Sequence, residues 1–138
     1  MMDKILFLDD FILQKLRDNT SIPWVWSLAG PAFPDKLTGY LCSSHIEYSD
    51  FTKDGPMGTA VFDLWIISPD LSGGNDTEKQ VESVTLKVKD LLMDDYTLDG
   101  HVIRARVESI QFAPPAGKAV AGASHITYRV EFEDYEED

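Results

Sequence analysis

From Asp3 to Arg17, Ile5, Leu8, Phe11, Ile12 and Leu16 recur near helical spacing, while Asp9, Asp10, Gln14 and Lys15 fall mostly elsewhere around the cylinder. The spacing predicts an amphipathic helix ending near Asn19, because Thr20, Ser21 and Pro23 follow and a proline disfavours helical geometry in the residue before it. The next segment, SIPWVWSLAGPAFPD, mixes three prolines with Trp24, Trp26 and Phe33 and reads as irregular chain or a short strand.

The period then changes to two. LTGYLCSSHIEY, from Leu37 to Tyr48, is strand-like and closes at SDFTKDGP, where Asp54, Gly55 and Pro56 interrupt a regular ladder. A hairpin leads into MGTAVFDLWIIS, with Phe62, Leu64 and Ile66 on one face and Val61, Asp63, Trp65 and Ile67 on the other. Both faces are largely apolar, which predicts a central strand. After the loop SPDLSGGND, Val81, Val84, Val88, Leu91 and Leu92 form the stripe of a second helix, with Leu86 off the stripe and Lys79, Glu82 and Lys87 outside. Asn75 with Glu78, or Thr77 with Gln80, has capping-box spacing, and the helix is expected to finish near Asp94 or Asp95.

Beyond the turn YTLDG, HVIRARVESIQF alternates Ile103, Ala105 and Val107 with Arg104, Arg106 and Glu108. SHITYRVEFED sets Ile126, Tyr128, Val130 and Phe132 against His125, Thr127, Arg129, Glu131 and Glu133. The order predicts one α+β domain over residues 1–138: a mostly antiparallel β-sheet with two main helices packed on one face. Its other face carries Arg104, Arg106, Arg129, Glu131 and Glu133 and must meet water or a partner.

The composition supports a folded core, since 43% of the 138 residues are hydrophobic. One cysteine, Cys42, cannot form an internal disulfide, which suits a reducing cytoplasm. Asp9 and Asp10 spoil MMDKILFLDDFILQKL as a secretion signal or membrane span, so the chain is expected to start at Met1 or Met2 and to need no membrane. A net charge of −12 argues against nucleic-acid binding, which draws its affinity from Lys and Arg on phosphates.

The search for chemistry yields no catalytic, cofactor or metal site. His45, His101 and His125 lie in three different elements and Cys42 has no ligand spacing around it. Cys42, His45 and Asp50 are the residue types of a nucleophilic triad without its motif. Gly73 and Gly74 lack the lysine of a phosphate loop, and Asp70, Asn75 and Asp76 lack the terminal glutamate of a calcium loop.

Features suited to contact remain. Trp24, Trp26 and Phe33 either cover the sheet as core or anchor an interface, where tryptophan is enriched. APPAGKAVAGA places Pro114, Pro115 and Val120 on an apolar arm that a small core could hardly absorb, which favours an intersubunit or partner contact. The tail over residues 131–138 holds Glu131, Glu133, Asp134, Glu136, Glu137 and Asp138 without a basic residue, and reads as a solvated end, an acidic lining or a docking tail.

Across nearly the whole chain, the succession of an N-terminal helix, GYLCSSHIEYSDF, GTAVFDLWIIS, a helix ending in LLMDDYTLDG, HVIRARVESIQF, a loop and ITYRVEFED resembles the tail-terminator or tail-completion proteins of long-tailed bacteriophages, also labelled minor capsid or head-tail joining proteins. The resemblance implies a virion protein made in the bacterial cytoplasm, without catalysis or cofactor. Its copies, usually six, would form a ring capping the tail tube and joining it to the head connector. The implied partners are other copies, the tail-tube protein and the head-completion protein, with DNA passing through unbound. Closure of such a ring needs two different patches per subunit, and Arg104, Arg106 and Arg129 against a neighbour's carboxylates are one candidate pair. Carboxylates lining the channel would repel passing phosphate, each pair about 10 Å apart contributing about 0.4 kcal/mol in water before screening. A monomeric protein-binding adaptor using Trp24, Trp26 and the acidic tail, or a neighbouring head-completion protein, are the alternatives.

Overall fold

The computed structural model describes residues 2–28, 31, 34–52, 55–69, 74–113, 120–135 and 137, with side chains for all of these except 50–52, 55, 74–77, 113, 120 and 121. Helix α1 spans Lys4–Asn19, capped by the Asp3 carboxylate, which accepts the Ile5 backbone N–H at 2.9 Å. Strands β1 (Trp24–Trp26), β2 (Thr38–Thr52) and β3 (Gly55–Pro69) follow, then α2 (Gly74–Met93), β4 (Arg104–Ala113) and β5 (Val120–Glu133). Because α2 begins at Gly74, Asn75 and Thr77, expected as caps, fall inside its first turn.

The chain is α+β, with one five-stranded mixed sheet in the order β1-β2-β3-β5-β4. β1 runs parallel to β2 and the other three pairings are antiparallel. The strand expected at the centre, β3, is the middle one. It pairs Leu64 with Leu41 on one side and with Ile126 on the other, so the inward alternation of three strands is in phase. Leu41, Phe62, Leu64, Ile66, Ile126, Tyr128, Val130 and Phe132 are all fully buried on that face.

Both helices lie on it. The Ser43 hydroxyl of β2 donates to the Asp9 carboxylate of α1 at 2.6 Å, and Thr85 of α2 meets Ser124 of β5 at 2.6 Å, Ser43 and Ser124 sharing the inward phase of Phe62 and Ile66. The helical stripes Ile5, Leu8, Ile12, Leu16 and Val81, Val88, Leu92 complete the core. Leu86 is exposed, as its position off the stripe predicts. Asp9 departs from expectation: it is 7% exposed, on the same side as Ile5, Ile12 and Leu16.

β4 also departs from a single alternation. A bulge between Val107 and Ser109 inserts Glu108, after which Ile110 opposite Ile126 and Phe112 opposite Ser124 return to the helix-bearing side. Ile103, expected on the dry face, precedes the strand and is exposed. The turn between α2 and β4 passes through three left-handed residues, Leu98, Asp99 and Gly100. The Asp95 carboxylate accepting the Asp99 N–H at 3.0 Å and the full burial of Leu98 hold it.

Two glycines allow close approaches of aromatic rings to the sheet. A Cβ on Gly39 would lie 2.5 Å from the Trp24 ring, and one on Gly58 would collide with the Phe132 ring. Gly39→Ala is therefore expected to unseat Trp24 and lower stability by about 2 kcal/mol in denaturant titration. Tyr128 is wholly buried, and its hydroxyl makes no hydrogen bond among the described residues. Removing that oxygen in Tyr128→Phe is expected to raise stability by about 1 kcal/mol in the same measurement.

Candidate interaction surfaces

The face of the sheet away from the helices is a ladder of polar side chains laid down by the strand registers. Arg104 of β4 stands opposite Glu131 of β5, and their side chains pair at 3.2 Å. Arg106 stands opposite Arg129, and the two cations share Glu108, which the bulge brings to 3.6 Å and 3.3 Å from them. Arg104, Arg106, Arg129 and Glu131 are thus gathered on one surface, as the alternation predicts, and most of the charge there is answered within the subunit. Further along the same face, His125 donates its Nε2–H to Asp63 at 2.6 Å and stacks on Trp65, with centroids 4.1 Å apart and planes within 6°. The register opposing Trp65 to His125 and Asp63 to Thr127 makes this cluster, which depends on a pairing of strands about sixty residues apart and leaves no local motif.

Trp24 and Trp26 point to the same side of β1 and part company there. Trp24 is 2% exposed, its indole N–H donating to Thr20 at 2.8 Å, and belongs to the core, so of the two readings left open for it the interface one does not apply. Trp26 is 42% exposed. It borders a groove of about 370 Å³ with Met2, Leu6, Asp9 and Asp10. Burial pushes the Asp9 carboxyl above the usual range and neighbouring Asp10 adds to this, while hydrogen bonds from Ser43 and the Trp26 indole act the other way.

The acidic tail is tied down at one point. Glu137 forms a backbone bridge with Met2 and accepts from the Lys4 ammonium at 2.5 Å, with His101 at 3.4 Å. Lys4 is wholly buried and lies 4.1 Å from the centroid of Tyr135. Glu137 is therefore a structural anion rather than a free carboxylate for a channel or partner. Glu133 and Asp134 are half-buried. Phe33, Pro114, Pro115, Glu136 and Asp138 lie outside the described residues, as do Asp70 and Gly73 of the glycine and calcium-loop candidates and the side chains of Asn75, Asp76 and Val120. Sequence reading passed over Lys4, although its spacing to Leu8 places it beside the apolar stripe.

Cys42 is buried opposite Asp63, and His45, on the same face, is exposed and donates to Glu47 at 2.9 Å. The Asp50 side chain is not described. Among the described residues no three His, Cys, Asp or Glu gather closely enough to hold a metal, and no helix is long and apolar enough to cross a membrane. No protein-family model matches the chain, and a comparison with curated proteins finds no significant relative.

Apart from Tyr48 on β2 and Tyr135 in the tail, the larger exposed apolar side chains lie toward the two ends of the strand order. Met2, Leu6, Val25, Trp26 and Leu28 lie on α1, β1 and their flanks, at one end of the strand order. Leu86, Met93, Tyr96, Ile103 and Phe112 lie on α2, on β4 and between them, at the other. The two sets differ in composition.

The Lys4 hydrogen bond, chiefly, holds Glu137 below its ordinary value of 4.5. A lowered carboxyl stabilises the fold fully above that ordinary value and loses its contribution as pH falls through the folded one. Lys4→Met is expected to reduce stability at neutral pH by about 3 kcal/mol and to flatten the acid limb of a stability-against-pH curve below 4.5. An unchanged acid limb would separate Glu137 from Lys4.

Proposed function

We propose that this chain is a structural protein of a long-tailed bacteriophage, a tail terminator whose copies close into a ring over the tail tube and join it to the head connector, with DNA passing through. The observation that carries the reading is that most of the exposed apolar side chains lie toward two opposite ends of the sheet and differ in composition between them. A self-complementary contact would use one patch and stop at a dimer, whereas two different patches on opposite ends suit head-to-tail association and closure. Contiguous exposed apolar surface on a small chain marks a place where another protein sits.

Charge supplies the second half of the mechanism. A ring of copies at −12 each offers passing DNA no net attraction, so the duplex slides rather than sticks. The same charge makes the subunits repel one another, so assembly is weak at low salt and strengthens as salt screens it or as the tail tube serves as template.

The test is light scattering of the purified protein from about 0.02 M to about 0.3 M salt, with and without tail-tube protein. The expected result is a rise from monomer toward a closed oligomer with salt, and full oligomer with the tube. A chain that stays monomeric beside the tube at every salt concentration is an adaptor rather than a ring former.

A further inference from the structure

Among the described residues, an acid without an ion pair and a cation that shares its carboxylate with a second arginine lie at opposite ends of the sheet. Asp10, exposed on α1, makes no ion pair among the described residues. Beside it the buried Asp9 carboxylate has, among the described residues, neutral donors, the Ser43 hydroxyl and the Trp26 indole. The groove these two acids share is otherwise apolar, walled by Met2, Leu6 and Trp26. Such a site suits a cation that also carries apolar surface, and a guanidinium answers both needs: it pairs with carboxylates in a fork and lies flat on an indole.

At the far edge, Arg106 shares its anion, Glu108, with another cation. Its cross-strand partner is another cation, Arg129, and the latter stands closer to the one carboxylate both use, at 3.3 Å against 3.6 Å. Arg104, by contrast, has Glu131 to itself among the described residues. Just over half of the Arg106 side chain is exposed, on the face of the sheet away from the helices. In the sheet order, β4 lies at one end and β1, with the groove beside it, at the other.

We propose that the groove of Leu6, Asp9, Asp10 and Trp26 receives Arg106 from the β4 edge of a second copy of this chain, and that this is the contact repeated around the ring. It rests on the ring reading above and names the surfaces that close it. The acid pair gains the counter-charge it lacks, Arg106 escapes competition with Arg129, and the stem of the arginine covers the apolar walls of the groove. The contact is head-to-tail because the groove and the arginine are different features on opposite edges.

Charge reversal provides the test, on two exposed residues whose replacement leaves the core untouched. Asp10→Arg, Arg106→Asp and the double variant are compared with the unaltered protein by sedimentation velocity, with tail-tube protein present and circular dichroism confirming the fold. Each single reversal is expected to weaken self-association about tenfold or more, and the double variant to recover it to within about threefold of the unaltered chain. Single variants that assemble normally would overturn the contact while leaving the ring intact. Single variants that fail without recovery in the double variant would also overturn it. An unaltered chain that never associates would remove both the contact and the ring.

Discussion

Two helices cover only one side of this sheet, and most of what distinguishes the molecule follows from that. The phase of β3 requires Phe62, Leu64 and Ile66 to face α1 and α2, and the in-register neighbours Leu41, Ile126 and Tyr128 extend the buried layer across three strands. The opposite phase has no covering helix, so its residues must satisfy one another within the plane of the sheet. They do so through cross-strand pairs such as Arg104 with Glu131 and His125 with Asp63. The edges are less easily settled. Arg17 donates to the Trp24 carbonyl on β1, and the Tyr96 carbonyl accepts the Ala105 N–H on β4, yet apolar side chains remain exposed beside both.

Charge is distributed so that structure and association draw on different residues. Lys4 and Glu137 join the two ends of the described chain, a buried ammonium held by a carboxylate and an aromatic face. Part of the acidic tail thus acts as a clasp on α1, although its composition alone suggests a solvated end. Asp9 works in the opposite sense, since its burial beside Asp10 favours the protonated carboxyl. A chain that keeps such a group on a helix face, with the exposed Trp26 next to it, gives up stability at a place where a partner can restore it.

Much of the architecture was legible from periodicity. The two helical stripes, the central position of MGTAVFDLWIIS and the alternation of SHITYRVEFED all describe burial that each segment decides for itself. Where reading failed, a long-range contact decided. Asp9 is buried because Ser43 of β2 supplies a donor beneath it, and β4 changes phase at Glu108 because the ladder with β5 accommodates an extra residue there. Trp24 and Trp26 have equivalent positions in an extended segment, and the room above Gly39 and the hydrogen bond to Thr20 seat Trp24 in the core while Trp26 stays exposed.

Sequence by itself determined the class of the fold, because a period of 3.6 or 2 dictates which side of an element must be dry whatever it packs against. It also determined that the chain is strongly acidic and that its basic residues on β4 and β5 share one face. Tertiary structure alone decided which charges are answered and which are not. Whether Glu137 finds Lys4, Arg104 finds Glu131, or Arg106 and Asp10 are left exposed depends on strand order, register and a bulge, and each of these is a property of residues distant along the chain that meet only when the sheet forms.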